Sequence, residues 1–409
     1  MSDAADVIVV GAGPSGLMAA ACAAGRGLNV RVLERQPAAG AKLCYSGMGA
    51  APVSNTGIDV SRFHGRHARF VSDALQDFPL PALREWFMQA GVELENAEYY
   101  GLVQAPGGGG EIIEALGRGL QGWQDDMRVT GVVRENDGFL VQLEANAPLR
   151  AKAVVLATGG ANLPQLGGGE DGYQIAQSLG HTCEPAFPAQ VGLVVEEDWV
   201  REIPGLWMDV RLRVLHGKRA LAESTGSMLF TQAGLTGEAV FNVSAEVEPA
   251  LADGAELELS VNFFPGMGDA DVAEWLRRVF GERTREPADR AIDYIMPARL
   301  GGQLLKRQKV KPGARVLQMD ERQREGLLSE MLDTRLKITG TLGMRAAEGV
   351  TGGVNVREVD PRTFQSKLVP GLYIVGQLLD VRADWGGFEQ HFALASGHLA
   401  GMSVLKKTD

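Results

Sequence analysis

The chain has 409 residues, 45% of them apolar and 22% charged, enough material for two to four globular domains at roughly 100–200 residues each and unlike the composition of a disordered chain. A net charge of −11 repels nucleic-acid phosphates and anionic lipid over most of the surface, which leaves a small molecule as the expected partner, with no nucleic acid and no membrane. Cys22, Cys44 and Cys183 are too scattered to indicate a disulfide framework or a zinc site, no apolar run approaches the ~18 residues of a membrane span, and Met1-Ser2-Asp3-Ala4-Ala5-Asp6 carries no basic leader, so a reducing cytoplasm is the expected location.

The first element is a strand, Val7-Ile8-Val9-Val10, β-branched throughout as in a parallel sheet buried on both faces. It runs into Gly11-Ala12-Gly13-Pro14-Ser15-Gly16, the spacing G-x-G-x-x-G. Gly11 permits the tight turn, Gly13 lets backbone approach a pyrophosphate, and Gly16 lets the following helix, Leu17 to Arg26, pack on the strand. That helix directs its free N–H groups at the phosphates. A second strand, Asn29 to Leu33, ends in Glu34, where a carboxylate accepts both hydroxyls of an adenosine ribose and repels a 2′-phosphate. Strand, glycine turn, helix, strand and acid in that order predict a dinucleotide site.

Further along, His64 and His67 stand at the spacing of one helix face but lack a third metal ligand, so no metal is expected. Gly107 to Gly110 and Gly167 to Gly169 read as loops. Lys152 to Gly160 is another buried strand, closing on Ala157-Thr158-Gly159. From about 190 to 265, β-type runs broken by glycine and proline predict a small sheet or barrel. From 269 to 335 the spacing turns helical, with 14 Lys and Arg against 12 Asp and Glu; the cluster Lys306-Arg307-Gln308-Lys309-Val310-Lys311 reads as a solvated helix end in preference to a site for an anionic group. Near the C-terminus, Gly371 to Gln377 is a third buried strand, followed by Asp380, Trp385-Gly386-Gly387-Phe388 and a helix to Leu399. The strand at 152–160 and the late strand at 371–377 look like flavoprotein signatures and favour FAD over NAD. The last helix is expected to aim its dipole at the reduced flavin ring.

Taken together, the segments Asp6 to Glu34, Gly40 to Leu43 with Ser46-Gly47-Met48-Gly49 and Ser54-Asn55, Ala157 to Gly180, Leu229 to Gly237, Ile338 to Thr341 and Gly352 to Gly401 resemble the aminoacetone oxidase family of FAD-dependent oxidoreductases, which is related to bile-acid-pathway flavoprotein reductases. The resemblance implies an α/β Rossmann-like FAD domain built from both chain ends (1–189 and 343–409), interrupted by a β-rich barrel-like insert (190–268 and 336–342) and a small helical subdomain (269–335). It implies noncovalent FAD held by Gly11, Gly13, Pro14, Ser15, Gly16, Glu34, Arg35, Lys42, Ser46, Val129, Ala157, Thr158 and Gly159, and from the C-terminal part by Gly376, Gln377, Asp380, Gly386, Gly387 and Phe388. Cys44 reads as an ordinary thiol, not a thioether link to the flavin.

The sequence departs from the family where a substrate would be met. The family's arginine and cysteine are replaced by Ala50 and Ala51, a histidine by Gln232 and a proline by Glu238, and the last helix opens Phe388-Glu389-Gln390-His391. Tyr45, Gln232 and His391 are the candidates for handling the substrate and its proton. The expected activity is hydride transfer between a small organic molecule and flavin N5, either oxidising an amine or C–C bond or reducing a conjugated double bond. No second dinucleotide unit is found, so any NAD(P)H donor would dock transiently. The alternatives are an FAD protein with a structural or redox-sensing role, and a flavin-dependent RNA-modifying enzyme, which the charge opposes.

Overall fold

The computed structural model describes residues 5–405; Met1 to Ala4, where a leader would be sought, lie outside them. The chain forms two compact units, one ending at Pro188 and resuming at Met344, the other Ala189–Gly343.

The first unit is organised by one sheet. Its first strand, Ala5–Val10, pairs in parallel with Val30–Leu33 on one side and with the central strand Leu149–Leu156 on the other. Both faces of this strand are covered, which is why it reads as a continuous apolar run. The far edge of the central strand is shared: its beginning pairs antiparallel with Gly138–Leu143, and its end pairs in parallel with Leu372–Ile374, Ile374 opposite Leu156. The C-terminal part of the chain thus completes the sheet begun at the N-terminus, as expected of an FAD domain built from both ends.

Two helices lock that arrangement. The crossover helix Pro14–Gly25 lies against the C-terminal helix Phe388–Ser403, and the contact is backbone to backbone. A Cβ at Gly397 would fall 2.2 Å from Ser15 O, and one at Gly401 2.4 Å from Ala19 O. Arg26 Nη1 donates to Gly401 O (2.9 Å) and Val404 O (2.8 Å), satisfying carbonyls at the end of the C-terminal helix.

The glycine run 107–110 is not a loop. Gly108–Gly110 open a helix, Gly108–Gly117, where the Glu111 carboxylate accepts the Gly107 N–H (2.8 Å) and Gly109 allows the Cys44 backbone to pass where a Cβ would be 2.8 Å from its Cα. His64 and His67 do not share a helix face either. Phe63–His64 is a two-residue strand pairing with Arg382–Ala383, and His64 Nε2 is 2.6 Å from Asp384 Oδ1.

The second unit holds a closed six-stranded barrel. Leu193–Val195 closes it by pairing with both Gly234–Thr236 and Thr334–Thr341. The helices Asp269–Glu282, Ala298–Arg307 and Glu321–Asp333 do not form a third body. Their Leu276, Leu304 and Leu327 share one buried cluster with barrel residues Leu212, Phe230 and Leu259. Among the described residues, no helix is long and apolar enough to cross a membrane.

Candidate functional site

A cleft with about 1280 Å³ of empty volume lies within the first unit, at the carboxyl ends of Ala5–Val10, Val30–Leu33 and Leu149–Leu156. The chain leaves the first strand toward one neighbour and later fills the other side, so this is the switch point at which open α/β sheets bind ligands. Each of those strand ends contributes a piece of wall.

From the first strand come Gly11, Gly13, Pro14 and Ser15. A Cβ on Gly13 would meet nothing within 4 Å, whereas one on Gly11 would strike Ala157 O at 2.4 Å and one on Gly16 would strike Gly11 O at 2.0 Å. Gly13 therefore keeps the cleft open, Gly11 holds the turn against the neighbouring strand, and Gly16 sits behind the wall closing helix on turn. The helix start has no side-chain cap and no acid in its first turn, so its N–H groups remain available to an anion.

From the second strand comes Glu34. One carboxylate oxygen accepts the Ala12 N–H (2.7 Å), the other the Gln36 N–H (2.9 Å), and each retains a lone pair for a ribose hydroxyl. Arg35 donates to Gly167 O, to Gly168 O (2.6 Å) and to Asp171 Oδ2 (3.0 Å), fixing the glycine loop that borders the cleft. Asp171 is also clamped by Arg128 through two 3.0 Å bonds, and these guanidinium contacts hold its carboxyl below the usual range.

The central strand supplies Ala157, Thr158 and Gly159, with Val129 and Asn162 beside them. Lys42 Nζ donates to Gly160 O (2.7 Å) and Asn162 Oδ1 (3.0 Å). Burial lowers its pKa to about 7, with the Arg35 charge adding to the effect and Glu34 and Glu389 opposing it. Ser46 Oγ and Thr158 Oγ1 are buried and have no protein partner. Two orphaned hydroxyls, a glycine cradle and an acid-tipped strand in one cleft fit a dinucleotide whose phosphates and hydroxyls complete those bonds.

The C-terminal contribution differs from the expected set. Gln377 lines the cleft and donates to Glu389 Oε2 (2.6 Å), but Gly376, Asp380, Gly386, Gly387 and Phe388 do not line it. Gly376 faces Ser15, with its N–H on Ser396 Oγ (3.0 Å). The Gly386–Gly387 turn is filled from behind by Ser54 and Asn55; Asn55 Nδ2 donates to Gly386 O (2.9 Å) and a Cβ on Gly387 would lie 2.5 Å from Ser54 O. Phe388 is buried under the Arg62 guanidinium. Burial, with the nearby Glu184 charge, raises the Asp380 carboxyl. These residues support the wall and do not form it.

Of the catalytic candidates, Tyr45 lines the cleft and is 52% exposed. His391 is corrected: it is fully buried, one ring nitrogen on Ser54 Oγ (2.8 Å) and the other on Phe78 O (3.0 Å), and burial lowers its pKa to about 4. A histidine with both nitrogens engaged and no open face is a packing residue. Gln232 occupies the exposed turn between the barrel strands Arg219–Thr231 and Gly234–Thr236. Two carboxylates escaped the sequence reading as site groups. Half-buried Glu389 accepts from Gln377 and from the Ala383 N–H (3.2 Å), and burial pushes its carboxyl up to about 7; Glu348, raised by burial, accepts from Trp385 Nε1 (3.2 Å). Glu389 was visible as a change in the last helix, but nothing adjacent in sequence marks Glu348.

Fold and cleft define a Rossmann-type protein with a dinucleotide site, and the family it matches places it among FAD-dependent oxidoreductases. The chain belongs to the HI0933-like family, since residues 5–403 match the HI0933-like protein Rossmann domain. It is 29% identical over 405 residues to the 3-dehydro-bile acid delta(4,6)-reductase of Clostridium scindens, covering 98% of each chain. It is 25% identical over 403 residues to the ribosomal RNA dihydrouridine synthase of Escherichia coli, covering 96% of each. Among solved structures, the 3-ketosteroid-delta4-(5alpha)-dehydrogenase of Rhodococcus jostii matches with a TM-score of 0.49 and 16% identity, over 100% of this chain and 98% of that one.

Proposed function

We propose that this protein reduces a ring carbon–carbon double bond conjugated to a carbonyl in a small organic molecule, with electrons from a transiently bound nicotinamide nucleotide. The observation that supports this most is the chemistry shared by two relatives aligned end to end. One is named for reducing delta(4,6) bonds in a 3-dehydro bile acid, the other for making dihydrouridine, and both products gain two hydrogens across a ring double bond. Amine oxidation, which the aminoacetone oxidase resemblance brings in, has no such support.

Bound FAD supplies two-electron hydride exchange at N5. Gly11 to Ser15 and the helix start would bind its phosphates and Glu34 its adenosine ribose, and Lys42 would add a cation that an anion in the cleft keeps protonated. When hydride reaches the carbon β to the carbonyl, the α carbon needs a proton. Tyr45, exposed at the cleft wall, is the group proposed to deliver it and to recover one from solvent. The charge of −11 favours a small substrate over RNA, though the dihydrouridine synthase likeness favours RNA as a second reading.

The test supplies FAD-loaded protein and NADPH or NADH with a cyclic dienone, with uridine-containing RNA, or with a small amine in air. Loss of the dienone chromophore, with Tyr45→Phe at least about tenfold slower, is the expected result. Peroxide formed from the amine would overturn the proposal, and dihydrouridine in the RNA alone would replace the small substrate with RNA.

A further inference from the structure

A second groove in the first unit shares no lining residue with the FAD cleft. It runs between Gly65–Phe70 and Val356–Lys367 as an open, solvent-facing groove. Arg66, His67, Arg69, Arg357 and Lys367 line it, and no acidic residue does. In a protein of net charge −11 that concentration of cations on one concave surface needs an explanation.

Intramolecular pairing does not provide it. Arg66 is matched by Glu184 (2.8 Å), but Arg69, Arg357 and Lys367 are exposed and form no ion pair among the described residues. Lys367 Nζ donates to the backbone oxygen of Arg357 (3.0 Å), which ties the Lys367 ammonium to the segment that carries Arg357. Glu358 and Asp360, close to Arg357 in sequence, are held ionised mainly by other donors, and the Lys367 charge also acts on Asp360. Glu358 is taken by His181 (3.0 Å) and Thr182 (2.9 and 2.7 Å), and Asp360 by the N–H groups of Arg362 and Thr363 (3.0 and 2.9 Å). Glu184 offsets Arg66, and Asp360 offsets Lys367 in part; Arg69 and Arg357 have no such counter-charge among the described residues, and guanidinium groups match phosphate oxygens in pairs.

The rest of the groove is apolar. Phe70, half-buried and anchored edge-on against Phe364 with ring centroids 5.6 Å apart, offers a surface for a flat ring beside the cations. We infer that this groove binds a free nucleotide, its phosphates on Arg69, Arg357 and Lys367 and its base against Phe70. A nucleic acid strand would carry its remaining phosphates onto the acidic surface outside the groove, so a free nucleotide fits the local basic charge better.

Calorimetric titration of the FAD-saturated protein with ADP, inorganic phosphate and a short single-stranded RNA tests the inference. The expected result is one ADP per chain, bound more weakly as salt rises and more tightly than phosphate. Arg69→Glu with Arg357→Glu should weaken ADP by about tenfold or more with flavin content unchanged, and the milder Lys367→Gln should act in the same direction if the double reversal fails to fold. No ADP binding, binding indifferent to these substitutions, phosphate bound as tightly as ADP, or RNA bound more tightly than ADP would each overturn it. Flavin reduction plays no part in the readout, so the result is separate from the fate of the proposed reaction.

Discussion

Lys42 and Glu389 face the same cleft, and burial weakens the usual charge of both, bringing each to about 7. An anionic ligand there favours the protonated form of each, so FAD affinity is predicted to fall as pH rises through 7, with proton uptake on binding. Titration calorimetry in buffers of different ionisation enthalpy would show it, and Lys42→Met should reduce the slope. In the apoprotein the signs separate. Glu389 binds more protons folded than unfolded between its ordinary 4.5 and about 7, so its contribution to stability falls over that window; Lys42 binds fewer between about 7 and 10.5, so its contribution rises there. Glu34→Arg sets a guanidinium where the ribose hydroxyls and the Ala12 N–H need an acceptor. It should purify almost free of flavin, measured as visible against protein absorbance, and full occupancy would refute the role given to Glu34. Another buried chain invites a catalytic reading, Ser366 Oγ to His181 Nε2 (2.8 Å) and His181 Nδ1 to Glu358 (3.0 Å). Ser366 Oγ already accepts the Leu368 and Val369 N–H groups (3.1 and 2.9 Å), which makes the chain a turn support.

At the level of elements, the glycines of the first turn separate binding from folding. Gly13→Ala meets open space and should fold normally but hold FAD less well, because the Cβ enters the cleft. Gly16→Ala and Gly397→Ala place a Cβ against backbone oxygens at 2.0 and 2.2 Å, and each should cost about 1–3 kcal/mol of stability, read from chemical denaturation. The glycine turn was legible because strand, turn, helix and acid are contiguous in the chain. The helix at Gly108–Gly117 was not: three glycines of low helical propensity hid its start, and the requirement for Gly109 comes from Cys44, 65 positions earlier. His391 was misread for a related reason, since its partners Ser54 and Phe78 are distant in sequence. The same holds for Gly386 and Gly387, whose turn is filled by Ser54 and Asn55.

Over the whole molecule, each unit has its own buried core. The return of the C-terminal strand to the N-terminal sheet was legible from two buried strands ending in small residues, whereas the shared core of barrel and helices was not, because the change from β-type to helical spacing at 269 marks no break in packing. Since the FAD cleft is built entirely from the first unit, saturating FAD should raise that unit's melting temperature, with about 2.7 kcal/mol gained at a hundredfold excess over Kd. Calorimetry of apoprotein and holoprotein should show one transition moving and the transition of Ala189–Gly343 staying in place.

The most direct test of the central claim is an anaerobic titration of the FAD-loaded protein with NADPH and NADH, following the flavin's visible band, then addition of a cyclic conjugated enone before any air is admitted. The account predicts bleaching by one nucleotide and recovery of the band with stoichiometric loss of the enone. A band that neither nucleotide bleaches, but that a small amine does, would contradict it.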